Sequence, residues 1–171
     1  MISHDAIVHE DCFIGGGTRI WQFASILRGA CVGANSSIGS SAVVDGCLVG
    51  HHSSVGAGAQ IHPGVAIYNR VFIGPGVIFC NDVWPRVDKE GFDTKALFNR
   101  ERFISIVESD ASVGARAVIL PGTHIGSFSM VAAGAVCSGV VPDRHLFKRD
   151  GTIVPMPEDL GASRRMRFAE L

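Results

Sequence analysis

The sequence predicts an all-β fold, a solenoid of short flat strands, on three observations. Large apolar residues recur every sixth position, from Val8 to Val44, again from Val49 to Phe79, and again from Val107 to Cys137. Two residues before each of these nineteen positions stands Ala, Ser, Thr, Cys or Val. Three residues before nine of them stands Gly or Asn: Gly17, Gly29, Asn35, Gly46, Gly58, Gly64, Gly76, Gly122 and Gly134. A period of six is neither the 3.6 of a helix nor the 2 of a hairpin strand, so it marks an internal repeat.

Each part of the hexad has a physical task. Side chains alternate along a strand, so the large residue and the small one two before it point to the same side, the interior. The small residue sits near a tight corner. Gly or Asn before it supplies backbone angles that other residues resist. Three such faces close one triangular coil of about 18 residues, and nineteen hexads make about six coils. One residue is missing from the frame between Val44 and Val49.

In chain order, residues 1–7 lead into the first coil and the frame runs to Phe79. It then lapses over 80–106, a long inserted loop containing Trp84, Phe92, Leu97, Phe98 and Phe103, aromatic enough to dock rather than float. It resumes at Val107, and Val140-Val141-Pro142 closes it. The solenoid is thus expected over 1–141, with a C-terminal extension over 142–171 made of a short strand near Leu146–Val154 and a helix from about Glu158 to Ala169. Trp21, Gln22 and Phe23 stand where a regular face has glycine or small residues, which points to a contact between subunits or a ledge for ligand.

A formal net charge of −1 argues against a nucleic-acid or membrane-surface partner. No apolar run approaches 18 residues, and no basic and apolar leader opens the chain. The five cysteines lie within or beside the repeat frame with no CxxC spacing, as small hydrophobes of a reducing cytoplasm do.

The segment Phe72-Ile73-Gly74-Pro75-Gly76-Val77-Ile78-Phe79-Cys80-Asn81-Asp82-Val83-Trp84-Pro85-Arg86 resembles a stretch of the hexapeptide-repeat acetyltransferases that act on nucleotide-linked amino sugars. So do Ile20-Trp21-Gln22-Phe23-Ala24-Ser25-Ile26-Leu27-Arg28-Gly29-Ala30 and Ala132-Ala133-Gly134-Ala135-Val136. The likeness spans about residues 3–147. It departs where Gln22-Phe23-Ala24-Ser25 replaces the family's H-F-A-H, at His62-Pro63, and at Phe147-Lys148-Arg149-Asp150-Gly151. The resemblance implies a left-handed parallel β-helix, a homotrimer, acetyl-CoA as cosubstrate without a metal, and N-acetylation of a nucleotide-linked amino sugar for surface polysaccharide (lipopolysaccharide) biosynthesis. It also implies a site between subunits with the coenzyme along the C-terminal coils.

Such chemistry needs an amine to lose a proton and attack a thioester, and the oxyanion to be stabilised. Asn81 is the first candidate to hold the sugar amine, because its amide both donates and accepts. Asp82 is the candidate to take or orient a proton, or else a turn carboxylate. His62, outward after Ile61 and one coil from Cys80, is the candidate base, or else a surface histidine. Positioning by Asn81 is expected to outweigh base catalysis by His62. Arg86, Trp84, Arg28 and Gln22 are the substrate-binding candidates. For the coenzyme the candidates are Gly114, Ala132 and Ala133, small enough for a pantetheine arm to approach the backbone, and Lys148 and Arg149 for its phosphates. Two further readings are a catalytically silent structural solenoid and a zinc enzyme of the γ-carbonic anhydrase kind, which needs three histidines, two of them five apart.

Overall fold

The computed structural model describes residues 1–85, 87 and 104–157. Every strand is two or three residues long, and each pairs in parallel with the strand one full coil away, apart from the last. Three sheets result, of seven, seven and eight strands, and they form the three faces of a prism. The first face runs from Ile7–Val8 to Val136–Cys137, the second from Phe13–Ile14 to Val140–Val141, and the third from Arg19–Ile20 to His145–Phe147. The coils number seven rather than about six. The parallel ladder continues past Pro142: Val131 pairs with Phe147, and only Ile153–Pro155 runs antiparallel, as a hairpin on His145–Phe147. The helix expected over 158–169, and most of the insertion over 80–106, lie outside the described residues.

The hexad positions form the core. From Ile20 to Val141 the large aliphatics and Phe79 are at most 2% exposed, and the small-slot residues Ala24, Ala30, Ala42, Ala59, Ala111 and Ala117 are fully enclosed. Where the small slot holds a hydroxyl, it ties successive coils together. Ser36 Oγ donates to Gly50 O (2.8 Å) and accepts from Ser53 N (3.1 Å); Ser53 Oγ donates to Tyr68 O (2.9 Å) and accepts from Val71 N (3.1 Å). This satisfies backbone groups that the corner removes from the ladder.

The corner residue lies in the left-handed region whether it is glycine, as at Gly58 (φ 67°), or a bulkier residue, as at Asn35 (56°), Phe23 (61°) and Arg70 (55°). A second rule acts on the residue just after the inward one. A Cβ on Gly114 would stand 2.4 Å from Ala133 N, so a larger residue there forces coils apart.

Charge at the second corner, between the second and third faces, gives the protein an acid limit. Arg70 Nε and Nη2 donate to the two carboxylate oxygens of Asp110, both at 2.7 Å, and hold its pKa below the ordinary 3.8. His9 and Thr152 act in the same direction on Asp11 and Asp150. A depressed folded pKa adds stability that is present above the unfolded value and is lost as pH falls through the folded one. Urea midpoints are therefore expected to hold steady down to about pH 4 and to fall below it, with a shallower fall in Asp110→Asn.

Candidate functional site

At the position just after the inward residue, the first corner, between the first and second faces, carries side chains where the other corners mostly carry glycine. Leu27 pairs with Asp45, Val44 with Ile61, and Ile61 with Phe79. Leu27, Asp45, His62 and Cys80 therefore stack in one column, each about 4.8 Å from the next in the hydrogen-bonding direction. Asn81 and Asp82 follow Cys80 on the fifth coil, where the insertion leaves the solenoid, and both are half-buried. Asp82 Oδ1 accepts a hydrogen bond from Trp84 N (3.0 Å), so one carboxylate oxygen shapes the turn. Trp84 is 79% exposed. Arg86 lies outside the described residues.

Arg28 is already engaged. Its Nε and Nη2 donate to the two oxygens of Asp45, whose side chain is 7% exposed, and this fork holds the guanidinium pKa above its ordinary value. The residue missing between Val44 and Val49 explains the pair. The third coil has no corner residue opposite Arg28, so its guanidinium folds onto the buried carboxylate above. Asp45 was not among the candidates from sequence. The signal for it was that same break in the frame, since Asp45 is the residue after inward Val44. Arg28→Ala leaves this carboxylate enclosed without its cation and is expected to cost about 1–3 kcal/mol, read from the urea midpoint.

The third corner, between the third and first faces, gathers all the coenzyme candidates. Val113 pairs with Val131 and Val131 with Phe147, so Gly114, Ala132 and Lys148 form one column, with Ala133 and Arg149 beside it. The Arg149 side chain lies over Gly134: a Cβ there would be 3.9 Å from Arg149 Cδ. Lys148 N and Thr152 O close the hairpin at 2.9 Å. Gln22 shares this corner but follows the first coil, and its Oε1 accepts from Ser40 Oγ (3.1 Å). Within one chain, then, the structure brings together His62, Asn81 and Asp82, and separately the coenzyme set. It does not bring Gln22, Arg28 and Trp84 to one place.

Five of the other histidines, His4, His9, His51, His124 and His145, have side-chain partners. His51 Nδ1 accepts from Ala34 N (2.9 Å), which makes it part of the second corner, and His124 Nε2 lies 3.1 Å from Glu108 Oε1. His4 and His9 have the five-residue spacing of the zinc reading, but they sit against Asp5 (3.1 Å) and Asp11 (2.7 Å). Among the described residues no three potential ligands converge within the chain. No helix among them is long and apolar enough to cross a membrane.

No family model matches this sequence. The bifunctional protein GlmU of Nitratidesulfovibrio vulgaris is 25% identical over 178 residues, covering 91% of this chain and 36% of that protein. The chain thus spans about a third of the length of the curated relatives it matches. Among solved structures, a point mutant of AntD, an N-acyltransferase from Bacillus cereus, in complex with dTDP and coenzyme A, superposes with a TM-score of 0.57 at 15% identity over 99% of this chain and 88% of that one. A second AntD point mutant, in complex with dTDP-4-amino-4,6-dideoxyglucose and coenzyme A, gives 0.56 at 16% identity over 99% and 87%. The acetyltransferase domain of PglB from Neisseria gonorrhoeae gives 0.54 at 18% identity over 91% and 57%. The architecture of this chain is therefore the left-handed parallel β-helix found in hexapeptide-repeat acetyltransferases.

Proposed function

We propose that this protein transfers the acetyl group of acetyl-CoA to the amine of a nucleotide-linked amino sugar destined for surface polysaccharide. The observation that carries this reading is the third corner: five residues chosen for a coenzyme from sequence stack in the last coils, small ones beside a basic hairpin. In this reading the pantetheine arm lies against Gly114, Ala132 and Ala133 and pairs with exposed backbone groups, while Lys148 and Arg149 meet the phosphates. Asn81, with Asp82, holds the sugar amine, and Arg86 and Trp84 meet the nucleotide. Coenzyme and amino-sugar nucleotide named in the AntD complex support the pairing of these two substrates. UDP-2-acetamido-3-amino-glucuronate and dTDP-3-amino-dideoxy sugars are the leading acceptors.

The two corners belong to opposite edges of the first face, so one chain does not complete the site. A homotrimer closes it by setting one subunit's coenzyme corner against its neighbour's first corner. Trp21 (40% exposed), Phe23 (67%) and Phe72 (48%) offer apolar surface for that contact, whereas Tyr68 is half-buried and offers less. The setting is the cytoplasm, where acetyl-CoA and sugar nucleotides meet.

The reading is tested by following CoA release over a panel of UDP-, dTDP- and GDP-linked amino sugars. Turnover with at least one is expected; silence across the panel, with acetyl-CoA still bound, points to another acceptor. The double variant Lys148→Ala with Arg149→Ala is expected to raise the KM for acetyl-CoA about 10-fold or more and to leave that for the sugar nearly unchanged, as loss of two charge-assisted contacts requires. An unchanged coenzyme KM removes these residues from the site.

A further inference from the structure

Among the described residues Arg28 is the one Lys or Arg at the first corner, where Glu10, Asp11, Asp45 and Asp82 carry the opposite charge. Its guanidinium is held along one edge only. Nε and Nη2 donate to Asp45, and the group has no other partner among the described residues. Arginine carries five N–H donors, so the opposite edge keeps one hydrogen on each of Nη1 and Nη2, a coplanar pair that matches two oxygens of a phosphate. The side chain is 53% exposed, so that edge is open to a ligand. A buried ion pair is weak evidence for stability, because apolar residues of similar volume fill such a gap at least as well. What the pair does supply is a guanidinium that has already given up its rotamer freedom.

The distance from this fork to Asn81 has a chemical match. The guanidinium meets Asp45 on the third coil, and Asn81 leaves the fifth, two strand spacings or about 10 Å further along the corner. In a nucleoside-diphosphate sugar a ring amine is about five to eight bonds from the two phosphorus atoms. Three bonds of extended chain cover about 3.3–3.6 Å, so the phosphates stand about 6–10 Å from the amine. A carboxylate on the same ring is about three or four bonds away, about 3–5 Å, and falls short of the fork. The coenzyme side agrees. Lys148 and Arg149 belong to the seventh coil, four spacings or about 19 Å from the fork, which is about twice the screening length in physiological salt. Two polyanions can therefore meet at the fifth coil with their phosphates directed to opposite ends of the prism.

We propose that Arg28, on the fork that Asp45 fixes, takes the diphosphate of the acceptor. The sugar nucleotide then lies along the first corner, its amine at Asn81 and its phosphates toward the N-terminal coils. The inference rests on the acceptor reading above and adds the ligand's direction and its anion contact. It also accounts for the separation of Arg28 from Asn81 along the corner, which is the span from a ring amine to a diphosphate. Because Asp45 balances the charge of Arg28, the contact is directional: its strength depends on the free edge of the guanidinium and not on the presence of a cation alone.

The deciding experiment crosses two variants of the full chain with two forms of the acceptor. Arg28→Lys keeps a cation against Asp45 and loses the free edge. The double variant Arg28→Gln with Asp45→Asn replaces the ion pair by an amide pair and leaves no buried charge alone. Calorimetry reads the Kd for UDP, dTDP and GDP, and kcat and KM are measured with the best sugar nucleotide of the panel and with the methyl glycoside of the same amino sugar, which has no phosphate. Both variants are expected to bind the nucleoside diphosphate at least about 10-fold more weakly, to bind acetyl-CoA as the parent does, and to raise the acceptor KM far more than they lower kcat. The penalty is expected to vanish with the methyl glycoside, on which a purely structural role weighs equally. A nucleoside diphosphate held equally by parent and variants overturns the proposal, as does an equal penalty on both acceptors; both leave the acceptor reading standing. A parent that binds acetyl-CoA but none of the three nucleoside diphosphates overturns the proposal and that reading together. Diphosphate binding lost in the variants, with no amino sugar acetylated by the parent, upholds Arg28 and sinks the acceptor reading instead.

Discussion

Replacing Asn81 with alanine is expected to lower kcat for N-acetylation by about 10²-fold, the scale on which misplacing a reacting group is felt. The residue is held from below. Phe79 is fully buried, Cys80 N donates to Ile119 O at 2.8 Å, and Asn81 is therefore the second residue beyond a rigid strand end. Its amide can accept from an ammonium, keep hold of the neutral amine, and donate to oxygen in the transition state. The loss is expected in kcat more than in the sugar KM, because the contact strengthens as charge moves. Asp82→Asn is expected to be milder, since Asp82 Oδ1 already serves the Trp84 backbone and asparagine keeps that oxygen. Steady-state kinetics with the best acceptor of the panel checks both. An Asn81→Ala enzyme within a few-fold of the parent removes Asn81 from the site.

Phe79→Ala is expected to destabilise the fold by about 3–5 kcal/mol, the usual cost of emptying a fully buried phenylalanine site. Among the described residues Phe79 is the largest fully enclosed side chain, and it stacks between Ile61 and Ile119 along the axis. Short strands give the neighbouring coils little freedom to collapse into the space, so the cost is set toward the upper part of that range. Chemical denaturation monitored by circular dichroism reads it as a lowered midpoint with unchanged slope. A loss below about 1 kcal/mol shows that the coils close over the gap. The same variant loosens the root of Asn81, so activity is expected to fall before the protein unfolds.

The fold was legible because every hexad repeats the same demand: one large inward residue, one small one, one left-handed corner. Those demands are local, and the nine Gly and Asn corners named from sequence all have positive φ. What the frame could not give was its ends and its exceptions. The last coil, through His145–Phe147, pairs in parallel although the corner before it is Pro142-Asp143-Arg144 and not a glycine turn. The coil count rose to seven for that reason. The proposed coenzyme residues share one corner, since Gly114, Ala132 and Lys148 keep the same phase around the prism. The proposed substrate residues share no such phase. Gln22, Arg28 and Trp84 were chosen by likeness along the chain, whereas their placement depends on which coil and which corner each occupies. Arg28 in particular is committed to Asp45, a partner hidden by the one skipped residue in the frame.

The central claim, transfer of acetyl to nitrogen on a sugar nucleotide, is tested most directly by identifying the product. The protein is incubated with acetyl-CoA labelled in the acetyl carbonyl and with each amino-sugar nucleotide of the panel, and the product is examined by carbon NMR and by treatment with hydroxylamine. The account predicts an amide carbonyl on the sugar that hydroxylamine leaves intact, formed in step with CoA release and about 10²-fold more slowly by Asn81→Ala. A labelled ester that hydroxylamine cleaves, or free acetate with every amino sugar unchanged, contradicts it.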